Sequence, residues 1–432
     1  MKMKKFIAAT LVLALVFALA ACDTPATGGD AGDAGSKLTV WCWDPAFNLF
    51  AMEEAAKVYK QINPGFELDI VEIGWDDLQT NLITIAMSGQ LQALPDIFLV
   101  QNNAFQKNVM NYPELFADLT DFSVPYHQFG PSVVAYSTIG GRNFGVPFDN
   151  GAAVAAYRLD ILEEAGYTLE DFTDITWDTY IEQAKDILAK TGKPLLSGGA
   201  GDMDLICILL QSMGASFFDA DGNPDIVGNE YISLAFDVYV QLVSNGLMVE
   251  VNSWDEYIGT FNNGIVAGVI NGCWILGSVQ QADDQFGLWG ITNLPKFSNV
   301  SGATHYSANG GSSWAVASSS SNVDLAVDFL TQTFGGSIEF YENILFAAGA
   351  LANWLPAGES DVYNEPQPFF RDVPIYALIT EFAGLIPSNY TGVYYYEARD
   401  AIGNAIVLVL AGADKDEALK DAEDTLRFWM MQ

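Results

Sequence analysis

Apolar residues recur along the chain in two spacings. Leu38-Thr39-Val40-Trp41-Cys42-Trp43, closed by Asp44-Pro45, predicts a strand. Phe47, Ala51, Ala55, Val58 and Ile62 then follow the 3.6-residue period of a helix, which Asn63-Pro64-Gly65 stops. Phe66, Leu68 and Ile70 alternate with polar residues as a second strand. Trp75-Asp76-Asp77 opens another helix with Asp76 as its N-cap. Leu94-Pro95-Asp96 precedes a third strand over 97–100, ending at Gln101-Asn102. Strand, helix, strand, helix, strand in this order predicts an α/β fold with a parallel sheet. Thr176 is placed to cap a later helix, with Asp178 in its first turn. An apolar helix over 401–410 and a final amphipathic one through Ala418, Ala422, Leu426 and Trp429 close the chain.

The stretch 264–316 has a different texture. Val266, Val269 and Ile270 predict a buried strand, and Asn271-Gly272-Cys273-Trp274 places an indole where it ends. Asn309-Gly310-Gly311-Ser312-Ser313-Trp314 repeats the theme, with small residues that permit close backbone approach. Ligands of α/β proteins bind beyond the carboxyl ends of such strands. These residues are therefore either a ligand site or plain core.

Composition and charge narrow the picture. At 432 residues and 50% hydrophobic, the chain is long enough for two lobes with real cores. Its 54 acidic residues against 18 basic ones give a formal charge of −36, which repels phosphate backbones and anionic lipid heads. Nucleic acid is excluded as a partner, and an anionic solute is disfavoured unless a local arginine overrides the field. Residues 1–21 read as a secretory signal: three lysines, an apolar run too short to span a bilayer, and a small-residue end. The next residue, Cys22, makes the junction resemble a bacterial lipobox, which implies cleavage before Cys22 and lipidation of its sulfur. Residues 22–36, rich in Gly, Ala, Asp and Thr, form a flexible tether.

Chemistry-bearing motifs are sparse. Cys42, Cys207 and Cys273 are too widely spaced for a zinc site and read as small buried thiols, with a Cys42–Cys273 bridge left open. Only His127 and His305 exist, and no Gly-x-Ser-x-Gly or His-Glu-x-x-His motif appears. The run Asp219-Ala220-Asp221-Gly222-Asn223-Pro224 has acidic positions of a calcium loop but Pro224 where glycine is required, so it reads as a surface turn. No metal or cofactor is expected.

The order of these pieces resembles a known family. A strand ending in Trp43-Asp44, a helix stopped at Asn-Pro-Gly, a Trp-Asp-Asp helix and a Pro-Asp-Ile-Phe strand are similar to the extracellular solute-binding proteins of ABC importers, in their maltose-binding-protein-like, sugar-associated group. Gly145-Val146-Pro147-Phe148-Asp149, Tyr157-Arg158-Leu159-Asp160, Glu164-Ala165-Gly166 and Thr176-Trp177-Asp178 continue the likeness, with Arg158-Leu159 departing from its usual Asn-Lys pair. The resemblance implies a two-lobed, type II periplasmic-binding-protein fold, each lobe a mainly parallel sheet flanked by helices. Lobe 1 is expected from 37–149 and 292–334, and lobe 2 from 150–291 and 335–432, with hinge strands near Asp149, Ile291 and Phe334. It further implies a monomer held at the membrane by Cys22, which closes on a carbohydrate and presents it to a permease without chemistry of its own.

A sugar offers C–H faces and hydroxyl edges, which flat aromatics and carboxylates or amides complement. On that ground the expected ligand-binding residues are Trp43, Asp44, Trp75, Asp77, Asn102, Asp149, Asn271, Trp274, Gly310, Gly311, Trp354 and Tyr395. No catalytic residue is expected. The competing reading is a surface-anchored glycoside hydrolase, which needs only two carboxylates a few ångströms apart.

Overall fold

The computed structural model describes residues 36–431 apart from 150, 202 and 389. The leader, Cys22 and the tether through residue 35 lie outside the described residues. The principal strands are β1 (Lys37–Cys42), β2 (Glu67–Glu72), β3 (Ile97–Gln101), β4 (Val146–Asp149), β5 (Ala153–Arg158), β6 (Leu196–Gly199), β7 (Met248–Val251), β8 (Gly268–Gly272), β9 (Trp289–Thr292) and β10 (Ser312–Val316). Around them lie α1 (Phe50–Ile62), α2 (Trp75–Ser88), α3 (Asn102–Asn111), α4 (Trp177–Thr191), α5 (Met203–Ser212), α6 (Trp254–Asn262), α7 (Val323–Thr333), α8 (Ile338–Ala348), α9 (Ile375–Gly384), α10 (Tyr395–Leu410) and α11 (Lys415–Trp429).

The first sheet has the order β2-β1-β3-β10-β4. β1 runs parallel to β2 and β3, with Leu38 opposite Leu68 and Val40 opposite Ile70. β10 is antiparallel to both β3 and β4. Ile97 to Val100 of β3 are buried without a break, as a central strand covered on both faces requires. Two parallel pairs are what strand–helix–strand connections deliver; β10 comes much later in the chain and enters in the opposite sense.

The second sheet, β8-β5-β9, departs from the expected parallel arrangement, because β5 pairs antiparallel with both neighbours. Among the strands beside it, β6 and β7 form a separate parallel pair. The period of two divides β5 between two hydrophobic clusters. Val154 and Ala156 face one, and Ala153, Ala155 and Tyr157 face the other.

The chain leaves the first sheet at Asp149 and enters the second at Ala153, then returns between Thr292 and Ser312. A third segment joins them: Ala352 bridges Asp149, and Asn353 Nδ2 donates to the Asp149 carbonyl at 2.6 Å. Phe334, where a crossing was expected, is instead buried against Phe148, Trp314 and Phe340. Its neighbour α8 packs on α1 in the core of the first sheet, through Phe340, Tyr341 and Ile344. α8 ends at the left-handed Gly349, just before the segment that bridges Asp149.

Local signals are mixed in outcome. Thr176 caps α4 by accepting the Thr179 N–H. Asp76 does not cap α2: the cap position is Gly74, one residue before Trp75. At the other surface turn, Asp219 Oδ1 accepts the Asp221 and Asn223 N–H groups, the closed turn that Pro224 suggests. Cys42, Cys207 and Cys273 are all buried and outside any disulfide, so no bridge joins Cys42 to Cys273. Among the described residues no helix is long and apolar enough to cross a membrane.

Candidate functional site

A cavity of about 870 Å³ opens beside the strand ends of the first sheet. Trp43 and Asp44 reach it from the end of β1, Gln101 from β3, Asp149 from β4, and Gly310 to Ser312 from the entry to β10. This is the carboxyl edge where α/β sheets bind ligands. Asn48, itself buried, accepts the backbone N–H groups of Trp43 and Asp44 at 3.1 Å each and so fixes that turn. Trp75 joins from the first turn of α2. Its buried Nε1 has no partner among the described residues, which leaves a donor at the cavity wall.

The facing wall comes from the second sheet and its helices. Trp274 follows β8 and is only half-buried, and its Nε1 donates to the Asn309 carbonyl at 2.9 Å. Asn309 Nδ2 in turn donates to Asn271 Oδ1 at 2.7 Å, and Asn271 Nδ2 to the Tyr257 hydroxyl at 3.1 Å. With its N–H consumed, the indole offers a face rather than a donor. Trp254, 53% exposed on α6, lies 5.8 Å from Trp274 between ring centres and extends that apolar wall.

A second ring pair, Trp75 and Tyr396, has centroids 5.7 Å apart. The Tyr396 hydroxyl donates to Gln101 Oε1, so this ring is tied to the end of β3. Lys107 of α3 sits over the same ring and pairs with Glu397 at 2.5 Å. One turn along α10, Arg399 donates to Asp204 Oδ1 at 2.7 Å and lies over Tyr395. Gly311, at φ +81°, carries the backbone over Asn102, where a Cβ would stand 2.7 Å from Asn102 Nδ2. The arrangement places aromatic faces, amides and carboxylates around a space sized for a small ligand.

Residues 45–331 match the family described as bacterial extracellular solute-binding protein. The chain belongs to that family. A lactose-binding protein of Rhizobium radiobacter is 35% identical over 411 residues, 95% of each chain. An arabinooligosaccharide-binding protein of Halalkalibacterium halodurans is 24% identical over 315 residues, 71% of this chain and 69% of its own. Among solved structures, the GacH receptor of Streptomyces glaucescens, described unliganded and with acarbose, superposes with a TM-score of 0.75 at 18% identity, covering 92% of this chain and 99% of that one. The ABC-transporter-associated binding protein of B. animalis subsp. lactis, in complex with β-1,6-galactobiose, gives 0.72 at 20% identity, covering 91% and 97%. These neighbours establish the two-lobed type II periplasmic-binding-protein fold.

Within this solute-binding protein, Trp43, Asp44, Trp75, Asp149, Trp274, Gly310 and Gly311 come together around the cavity. Asp77 is exposed in the first turn of α2 and does not line it. Asn102 is buried beneath Gly311 and accepts the Ser313 hydroxyl at 2.9 Å. Asn271 lies behind Trp274, in the hydrogen-bond chain already described. Trp354 is a core indole bonded to Gln128 Oε1 at 2.9 Å, and Tyr395 is buried under Arg399. Tyr396, the neighbour of Tyr395 in the Tyr394–Tyr396 run, lines the cavity in its place, and Trp254, Asp204 and Arg399 line it without a sequence signal of their own having been read. The i, i+4 spacing of Tyr395 and Arg399 was the available clue to the last of them.

Asp149 is buried and bonded to the Ser312 hydroxyl. Burial pushes its carboxyl up to about 6, although the Ser312 hydrogen bonds pull it back. The folded protein therefore holds this proton more tightly than the unfolded chain does, and stability falls as pH rises from the ordinary value of 3.8 through about 6. Asp149→Asn, neutral throughout, is expected to unfold later than the parent at pH 8, by roughly 2 kcal/mol. At pH 4 the two should converge. Urea midpoints at both pH values check this, and an equal gap at each would show that ionisation is not the cause.

Proposed function

We propose that this chain is the substrate-binding subunit of an ABC importer, capturing an oligosaccharide in the cleft by hinge closure and delivering it to a membrane permease. The observation that carries the reading is the cleft wall: flat indole and phenol faces alternate with carboxylates and amides, matching the faces and edges of sugar rings. Trp274 and Tyr396 are the stacking platforms, and Asp44, Asp149, Gln101 and the Trp75 N–H serve hydroxyls. The lactose-binding relative, similar along nearly the whole chain, makes a β-galactoside disaccharide the first ligand to try. The lobes divide near Asp149, and closure turns on the segments around 149–153, 292–312 and 349–353. Lipidation of Cys22 keeps a monomeric receptor beside its permease, on the strength of the lipobox-like leader.

The test is a thermal-unfolding screen of the chain from Asp23 onward against lactose, arabino-oligosaccharides and other saccharides, with product analysis of each mixture. Lactose at a hundredfold excess over its Kd is expected to stabilise the fold by about 2.7 kcal/mol and to be recovered intact. Recovery of glucose and galactose would replace the transport reading with a hydrolase. A panel without any shift would overturn the sugar reading.

A further inference from the structure

An acidic protein accommodates an anionic solute only if a local cation overrides the global field. Among the described residues lining the cleft, Arg399 is the single lysine or arginine. It is not available as a lone charge. Its guanidinium donates to Asp204 at 2.7 Å, lies 5.8 Å over the Tyr395 ring, and is held between α5 and α10 with side-chain exposures of 20% for Arg399 and 30% for Asp204. Three further carboxylates, Asp44, Asp149 and Asp400, line the same cavity.

From this arrangement we infer that the Asp204–Arg399 pair is a charge filter: Asp204 neutralises the cleft's cation, so the cleft admits uncharged saccharides and refuses their acid counterparts. A ligand carboxylate would have to displace Asp204 from a charge-assisted bond and share a poorly solvated space with like charges. A neutral hydroxyl meets no such opposition, because it donates to carboxylates and accepts from N–H groups. Asp204 is then the specificity-determining residue, acting against wrong ligands rather than for the right one. The choice of sugars as probes rests on the function proposed above.

Calorimetric titration of the chain from Asp23 onward with matched pairs tests the filter: galactobiose against digalacturonate, and lactose against lactobionate. The parent protein should bind the acid of the accepted pair at least about a hundredfold more weakly than its neutral member. The gap should narrow in 0.5 M NaCl, where charge interactions are screened. Asp204→Asn, which unlocks Arg399, should raise affinity for the acid by about tenfold or more. Asp204→Glu should restore the exclusion, and Arg399→Gln added to Asp204→Asn should abolish the gain. Equal affinity of the parent for neutral and acid members would overturn the filter. So would a folded Asp204→Asn variant, with the parent's unfolding midpoint, that gains nothing on the acid. If the parent binds neither member of any pair, the sugar reading fails, while the gain or its absence in Asp204→Asn still decides the filter.

Discussion

Replacing Trp274 with Ala is expected to weaken ligand binding by roughly thirtyfold or more while leaving the fold intact. The indole is held in one orientation: its Nε1 is bonded to the Asn309 carbonyl, and Asn309 is bonded to Asn271. A ring fixed before the ligand arrives loses little further freedom on binding, so its contact area converts efficiently into affinity. Removing a central aromatic anchor costs about 2 kcal/mol or more, which corresponds to that factor. The residue is half-buried and beside the exposed Trp254, so the unfolding midpoint should move little. Trp274→Phe separates face from tether, since it keeps an aromatic surface but loses the bond to Asn309, and it should fall between the two. Titration by intrinsic fluorescence or calorimetry measures the series. Parent-like affinity for the alanine variant would remove Trp274 from the binding surface.

The second large effect belongs to a residue with no side chain. Gly272 sits at the end of β8 where a Cβ would stand 2.3 Å from Trp274 Nε1 and 2.5 Å from the Asn309 carbonyl oxygen. Neither neighbour is a loose side-chain end, because the two are bonded to each other and Asn309 O is backbone. Gly272→Ala must therefore push the indole or the 309–311 segment outward. Overpacking of this kind costs about 1–3 kcal/mol, and here it also displaces the indole proposed as a binding platform. A lowered urea midpoint together with lost ligand affinity is the expected pair of results. A variant that keeps both would show that the crossing has slack to absorb a methyl group.

The first sheet was the easiest part to read because its strands obey one rule at a time. β1 and β3 are short apolar runs with clear stops, and their order with α1 and α2 leaves few alternatives. The antiparallel β5 was harder, since Ala153 to Tyr157 gives no register and its partners β8 and β9 lie more than a hundred residues away. The same contrast runs through the cleft. Trp43 and Trp274 end strands, and strand ends point at the site. Trp354 and Tyr395 lack that anchor. Trp354 turns inward to Gln128, and a single helical step separates the buried Tyr395 from Tyr396, which faces the cavity. The helix that Asp76 was expected to cap has its cap two residues earlier, at Gly74, so Asp76 falls inside its first turn.

The three thiols of the folded body have a practical consequence. Cys42, Cys207 and Cys273 are buried and outside any disulfide, and burial holds the Cys42 and Cys273 thiols far from the thiolate that reacts with maleimides. A cysteine engineered onto the surface, in the chain that begins at Asp23, would therefore be the one readily labelled position. Placed at the rim beside Trp254, a dye there would turn this receptor into an optical sensor for its own solute, with no native cysteine to remove first.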